Sequence, residues 1–435
     1  LKFLCHEEPE SITTYTSQGF ITSFTEMVNE LPIEKPEGYT PDEAQSIEQE
    51  LAAAYDSTYG SSEQRAAAVA QFNEIKPTIV AVMNESFSDL SCFEQLQAAG
   101  YTGPAFYNSL PDTLVRGTML ASVTGGGTAN SEFEFLTGAT TAFVGLGKIP
   151  YQLYQMNGVN SLAKDLKELG YTATAMHPQN PVNYHRDKIY QQLGFGDFLS
   201  IGDFEGAPYY HAGVCDYATY DKILDLLRTD EAPQFIFDVT MQNHGGYDYG
   251  TVPVEELTNY WVEGASEGAN SALNTYLTCI NASDRDLEYF INELRNIGRP
   301  VVLVFFGDHQ PSAATTLNDE LYPQEDTASH AFRIYQSTYL VWANYEIAGN
   351  TELNVYDTVG ANEIAAITLN KIGAPLTDYQ KALLATRSDV PTINVAGYLG
   401  ADGLRYNLES EDSPYTSTID KLQRMQYLEF ASKVQ

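Results

Sequence analysis

Four apolar runs separated by helical stretches constrain this chain more than any other feature. They are "TIVAVM" after Pro77, "YTATAM" (171–176), "QFIFDVTM" (234–241) and "VVLVFF" (301–306). Each is short and rich in Val, Ile, Phe or Thr, the pattern of strands buried on both faces. Helical patterns lie between them, at about 131–138, 160–169, 186–193, 217–228 and 269–297. Strands alternating with helices predict an α/β fold with a mostly parallel central sheet flanked by helices. "STYLVWAN" (337–344) reads as a further strand, and 353–371 and 376–386 read as helices. Upstream, Thr40 precedes Pro41, Asp42 and Glu43, an N-cap followed by a first turn, and a helix to about Tyr55 follows. A second helix covers 63–75. The expected organisation is a helical lead-in (1–75), a catalytic domain (76–375) and a small C-terminal subdomain with a final helix (376–435).

In open α/β sheets, ligands bind beyond the carboxyl ends of the strands. The first run is followed by Asn84, Glu85 and Ser86, and the second by His177. The third is followed by Gln242, Asn243 and His244, and the fourth by Gly307, Asp308 and His309. Segments far apart in sequence thus deliver acids and imidazoles to one rim. Adjacent strand residues face opposite ways, so Asp308 and His309 converge only if the chain turns. Gly307 is expected to permit that turn, and Pro311 to stop the strand. With Glu85 they suit a divalent cation such as Mn²⁺, Mg²⁺ or Zn²⁺. "TGGGTANSEFEFLTG" (124–138) places three glycines before Thr128 at the expected N-cap of a helix, where unpaired N–H groups favour phosphate. It lacks the Lys of a P-loop.

Composition narrows the partners. The formal net charge is −35, from 58 acids against 23 bases, with no basic patch, which argues against nucleic acid. A hydrophobic fraction of 43% supports a sizeable core. Four cysteines, Cys5, Cys92, Cys215 and Cys279, show no metal-knuckle spacing and leave one or two disulfides open. The chain starts at Leu1 and has no run of about 18 apolar residues. The expectation is a soluble part of a longer protein. Tyr247 is a candidate pocket residue and Trp342 a core residue. His6, His185, His211 and His330 have no supporting context.

"NESFSDL", "GGGTANSEFEFLTG", "HPQNPVNYHR", "QNHGGY" and "FFGDHQP" occur in that order. Together, over roughly 76–345, they resemble the lipoteichoic acid synthase family of phosphoglycerol transferases, within the sulfatase/alkaline phosphatase superfamily. The resemblance implies that Glu85, Thr128, Asp308 and His309 hold one divalent metal, usually Mn²⁺, and that Thr128 is the nucleophile. It implies that His177, Arg186 and His244 hold phosphoglycerol or assist proton transfer. Tyr184 stands where the family has Trp, and Gln179 or Asn180 where it has an acid; both departures bear on the head group. The implied reaction takes phosphoglycerol from a phosphatidylglycerol-like lipid onto Thr128, then onto a hydroxyl of a polymer or glycan. His244 is the candidate acid and base, and Arg186 would grip oxygens with its forked donors. The implied location is the outer face of the cytoplasmic membrane, with membrane helices preceding this region.

Other readings stay open. A phosphodiesterase or phosphatase would use Thr128 with water as acceptor, and phosphoethanolamine transferases are related. A sulfatase needs Cys or Ser in a C/S-x-P-x-R setting; Thr128 is followed by Ala129 and Asn130. A non-catalytic glycerol-phosphate-binding module is the option outside enzymes.

Overall fold

The structure, a computed structural model, describes residues 32–434. Cys5 and His6 lie outside the described residues. Helices α1 (Pro41–Ser57) and α2 (Glu63–Ile75) form the lead-in. The Thr40 hydroxyl accepts from Glu43 N–H at 3.2 Å, so the expected cap is in place. The main sheet then takes β1 (Thr78–Asn84), β2 (Thr113–Leu120), β3 (Thr172–Met176), β4 (Asp197–Leu199), β5 (Gln234–Val239), β6 (Val301–Gly307), β7 (Gln336–Ala343) and β8 (Val355–Gly360). Their spatial order is β8-β2-β7-β6-β1-β5-β3-β4. Only β7 runs antiparallel to its neighbours, β2 and β6; every other pairing is parallel.

Alternation along β1 builds two cores. Ile79, Ala81 and Met83 face one side, where Phe135, Phe237 and Phe306 also pack. Val80 and Val82 face the other, with Leu273, Tyr276, Leu277 and Phe305. The first layer includes α3 (Thr128–Thr137) and α4 (Arg186–Gln192); the second includes α5 (Asp216–Thr229) and α6 (Glu267–Arg295). Each large side chain buried this way stabilises by about 1.5–3 kcal/mol. Trp342 is fully buried in the second core.

Two readings needed correction. Residues 353–371 are not one helix: β8 occupies Val355–Gly360, and a helix begins only at Ile364. As an edge strand, β8 is half-exposed and carries Tyr356 and Asp357, so its pattern lacks the apolar run of a central strand. β2 was also not anticipated; Arg116 and Gly117 interrupt its apolar pattern. Arg116 donates instead to the carbonyls of Tyr107 and Asn108.

The C-terminal part holds a small antiparallel sheet of three short strands and its own cluster, including Tyr379, Leu383, Ile393, Tyr398 and Met425. The lead-in is tied to the helix ending at Lys371. Tyr55 donates to Asn370, and Arg65 donates to the carbonyl oxygens of Asn370 and Ala374.

Candidate functional site

β1 and β6 are adjacent parallel strands, with Asn84 paired to Gly307. Their next residues, Glu85 and Asp308, therefore leave the sheet side by side. Gly307 serves this closeness, not the turn foreseen for it. A Cβ there would lie 1.8 Å from the carbonyl oxygen of Phe87. The chain bends immediately afterwards, at 308–309. That bend brings His309 to the same point: ligand atoms of Glu85, Asp308 and His309 all lie within 4.8 Å of one another, and all three residues are buried.

Hydrogen bonds fix which atoms remain free. Asp308 Oδ1 accepts from Ser86 N–H at 2.7 Å and from His309 N–H at 2.9 Å. Glu85 Oε1 accepts from the Ser86 hydroxyl at 2.8 Å. Ser86 holds φ +54, an uncommon conformation retained because three of its groups are tied down. His309 Nδ1 lies 2.9 Å from the Gln310 carbonyl oxygen, which can only accept, so Nδ1 carries the proton. His309 Nε2 then presents a lone pair 3.0 Å from Asp308 Oδ2. Neither atom makes a hydrogen bond. Two acceptors facing each other in a buried place need a positive charge between them. Burial, with Asp308 second, pushes Glu85 up to about 8, which marks the same deficit of positive charge. The residues therefore fit a divalent cation held by two acids and one imidazole.

The chain on both sides of Thr128 is bonded to the segment that carries Asp308 and His309. Gly125 N–H donates to the Gln310 carbonyl at 2.8 Å, and the Ser131 hydroxyl donates to the Asp308 carbonyl at 2.6 Å. Residues flanking Thr128 by three positions are thus bonded to segment 308–310. The N-cap is Gly127, at φ +87, and Thr128 is the first helical residue, a correction of its expected place. Its hydroxyl consequently does not cap the helix and is left for other use.

One turn further along α3, fully buried Glu132 grips Arg186. Nε donates at 2.9 Å and Nη2 also donates, while Tyr190 donates to the other oxygen at 2.6 Å. The forked pair expected to meet a substrate is thus spent on Glu132, and Nη1 is what remains. Arg186 is neither exposed nor paired with Asp187. Burial lowers its pKa most strongly, but Glu132 and Tyr190 overcome that and leave it raised. Tyr184 covers the guanidinium, with its ring centroid 5.0 Å away. Tyr184 and His185 both hold positive φ, 53° and 59°, at the turn that presents Arg186.

His177 directly follows β3 and is buried. Its Nδ1 lies 2.8 Å from the Val239 carbonyl oxygen, so Nε2 is the acceptor that faces outward from that bond. Burial, then Arg186 and His244, hold its pKa well below the usual imidazole value. His244 is exposed on the loop after β5. The preceding Asn243 donates to the Glu85 carbonyl at 3.2 Å and to Ser283 at 2.9 Å, and Tyr247, buried, donates to the Asn243 carbonyl at 2.7 Å. Sequence reasoning missed Glu132 and Tyr190; a Glu inside an ordinary helical run carries no signal of its partner. Cys92, Cys215 and Cys279 are free thiols.

The sulfatase family profile matches residues 77–363, well over half of the chain. The chain belongs to the sulfatase family. A Rhizobium meliloti relative named for cyclic beta-1,2-glucan modification is 30% identical over 254 residues, covering 58% of this chain and 38% of that protein. An RkpI protein of the same organism, named for capsular polysaccharide biosynthesis, is 25% identical, covering 55% and 42%. This sulfatase-family chain thus spans about two fifths of the curated relatives it matches. In three dimensions it is similar to the Streptococcus pyogenes phosphoglycerol transferase GacH, solved with sn-glycerol-1-phosphate. The TM-score is 0.69 at 22% identity, covering 91% of this chain and 95% of that one. It is also similar to the Listeria monocytogenes lipoteichoic acid synthase LtaP, with TM-score 0.60 at 16% identity, covering 88% and 98%. These likenesses establish the alkaline-phosphatase-like α/β fold. No helix among the described residues is long and apolar enough to cross a membrane.

Proposed function

We propose that this chain is a metal-dependent phosphoglycerol transferase working through a covalent phospho-threonine intermediate. The observation that carries the reading is the buried set Glu85, Asp308 and His309, with Asp308 Oδ2 and His309 Nε2 unpartnered beside the start of α3. Those three residues and Thr128 would hold one divalent cation, Mn²⁺ in our reading with Mg²⁺ or Zn²⁺ as alternatives, whose chemistry is Lewis-acid stabilisation of negative charge on oxygen.

The chain's own groups divide the remaining work. Thr128 Oγ, deprotonated, attacks the phosphorus of an anionic glycerophospholipid and the bond to the diacylglycerol oxygen breaks. His244, exposed beside the site, gives its proton to that leaving oxygen. It then takes the proton of an acceptor hydroxyl, which attacks phosphoglyceryl-Thr128 and releases Thr128 Oγ. Arg186 Nη1 addresses a phosphate oxygen while Glu132 keeps the guanidinium in place. His177, neutral and with Nε2 as an acceptor, suits a glycerol hydroxyl and would receive nothing from a bare phosphate oxygen. Tyr184 walls the head-group side.

The names of the two Rhizobium meliloti relatives support a glycan hydroxyl as acceptor. GacH and LtaP support phosphoglycerol as the group moved. In this reading the domain works at the outer face of the cytoplasmic membrane, where a lipid donor is within its reach, and belongs to a longer protein. The test uses vesicles of phosphatidylglycerol labelled in the head group, with and without a glycan acceptor. Transfer of label to the glycan is expected. Release of free glycerol phosphate at the same rate regardless of acceptor would overturn the reading in favour of a phosphodiesterase.

A further inference from the structure

His211 sits in the turn of a short hairpin, Tyr209–Tyr210 paired with Gly213–Val214. The hairpin is pressed onto the loop that carries His244. A Cβ on Gly213 would lie 2.4 Å from the Met241 carbonyl oxygen, and Ala212 N–H donates to the Gln242 carbonyl at 3.2 Å. His211 completes the strap. Its ring lies parallel to that of Tyr247, centroids 5.4 Å apart at 2°. Nδ1 is 2.9 Å from the Thr251 hydroxyl, and Nε2 is 3.1 Å from the His244 carbonyl oxygen. A carbonyl only accepts, so Nε2 carries a proton in either charge state of the ring.

The consequence falls on His244. Tyr247 holds the carbonyl of Asn243 and His211 holds the carbonyl of His244, so two successive peptide oxygens are pinned. The His244 imidazole itself makes no hydrogen bond among the described residues and is exposed. Pinning the backbone fixes the origin of the side chain, the position of its Cα and the line of its Cα–Cβ bond. His211 adopts φ +52, a conformation worth its strain only where the surroundings need it.

We propose that His211 is a positioning residue: through its hydrogen bond to the His244 carbonyl it aims the His244 imidazole at the leaving and attacking oxygens, and it touches neither. This rests on His244 as the proton carrier.

The test exploits leaving groups. Diacylglycerol release from phosphatidylglycerol vesicles needs a proton on the departing oxygen. The first-turnover burst from a p-nitrophenyl phosphodiester does not, because nitrophenolate leaves unaided. His211→Asn tolerates positive φ, but its amide is too short to reach the His244 carbonyl. It is expected to slow diacylglycerol release by roughly 10- to 100-fold and to leave the nitrophenol burst within about twofold. His211→Gln places an amide N–H near the position of Nε2 and is expected to restore most of the loss. In a His244→Ala background, His211→Asn is expected to add nothing, since it acts through that side chain. Equal losses on both substrates, or a full further loss in that background, would overturn the inference. If His211→Asn keeps the parent rate while His244→Ala does not, the inference falls and the reaction stands. If His244→Ala keeps the parent rate, both the assignment of His244 and the inference fall.

Discussion

Two buried acidic groups lie on this rim, and they are solved in opposite ways. Around Glu132 the chain brings its own cation: Arg186 and Tyr190 satisfy both carboxylate oxygens. Around Glu85, two acids and one neutral-side imidazole lone pair meet, with Asp308 Oδ2 and His309 Nε2 left over. The first group is complete as folded and can serve as scaffold. The second is complete only with a charge from outside. Burial alone does not mark a site; the difference is whether the chain supplies the counter-charge.

Several changes break this contrast or sharpen it. Thr128→Ala, assayed at saturating metal, is expected to cut turnover of a chromogenic phosphodiester by on the order of 10⁴-fold or more, because it removes the attacking oxygen. Parent-like turnover would show that Thr128 is not the nucleophile. Glu132→Gln leaves the Arg186 charge buried with a weakened partner, and a loss of about 3–5 kcal/mol in urea-derived stability is expected. Bound metal, measured by elemental analysis, should not change. Asp308→Asn reverses the pattern: a drop of at least about 100-fold in metal affinity, since even outer partners of a metal site cost 10–100-fold. An unchanged metal content would dissolve the contrast.

A third buried acid tests the limit. Asp238 on β5 has one donor, Thr219, and an unpartnered Oδ1, with no cation near it. Burial lifts it to about 8. In the unfolded chain it titrates near 3.9, so the folded state holds a proton there that the unfolded state releases between about pH 4 and pH 8. Its contribution is full below the lower value and is lost as pH rises through the upper one. Asp238→Asn is expected to flatten the decline in urea midpoint between about pH 4 and pH 8. Parallel curves for parent and variant would mean that Asp238 is ionised in the fold.

The metal side of the contrast was legible in sequence, and the scaffold side was not. Glu85, Asp308 and His309 follow apolar strand runs, so the sheet topology alone places them on one edge. The glycines before Thr128 single it out in the sequence, while its position as first helical residue required the backbone. Glu132 and Arg186 are 54 positions apart, and neither lies at a strand end. Only the packing of α3 against the turn before α4 unites them, and that depends on two residues at positive φ whose types do not announce it. His211 was set aside for the same reason: its partner is a backbone carbonyl, invisible in any residue pattern. β8 was misread because an edge strand needs only one apolar face.

Glu85 and Asp308 are neighbours through strands whose ends lie more than 200 positions apart, Ser86 reaching Asp308 across 222 residues. A chain emerging from the ribosome thus owns many of its helices long before it owns the cluster of Glu85, Asp308 and His309. Closing so long a loop is slow and is rewarded only at the end. The two acids therefore become neighbours only once β6 has been added beside β1, so their meeting belongs to the assembled sheet and to neither segment alone.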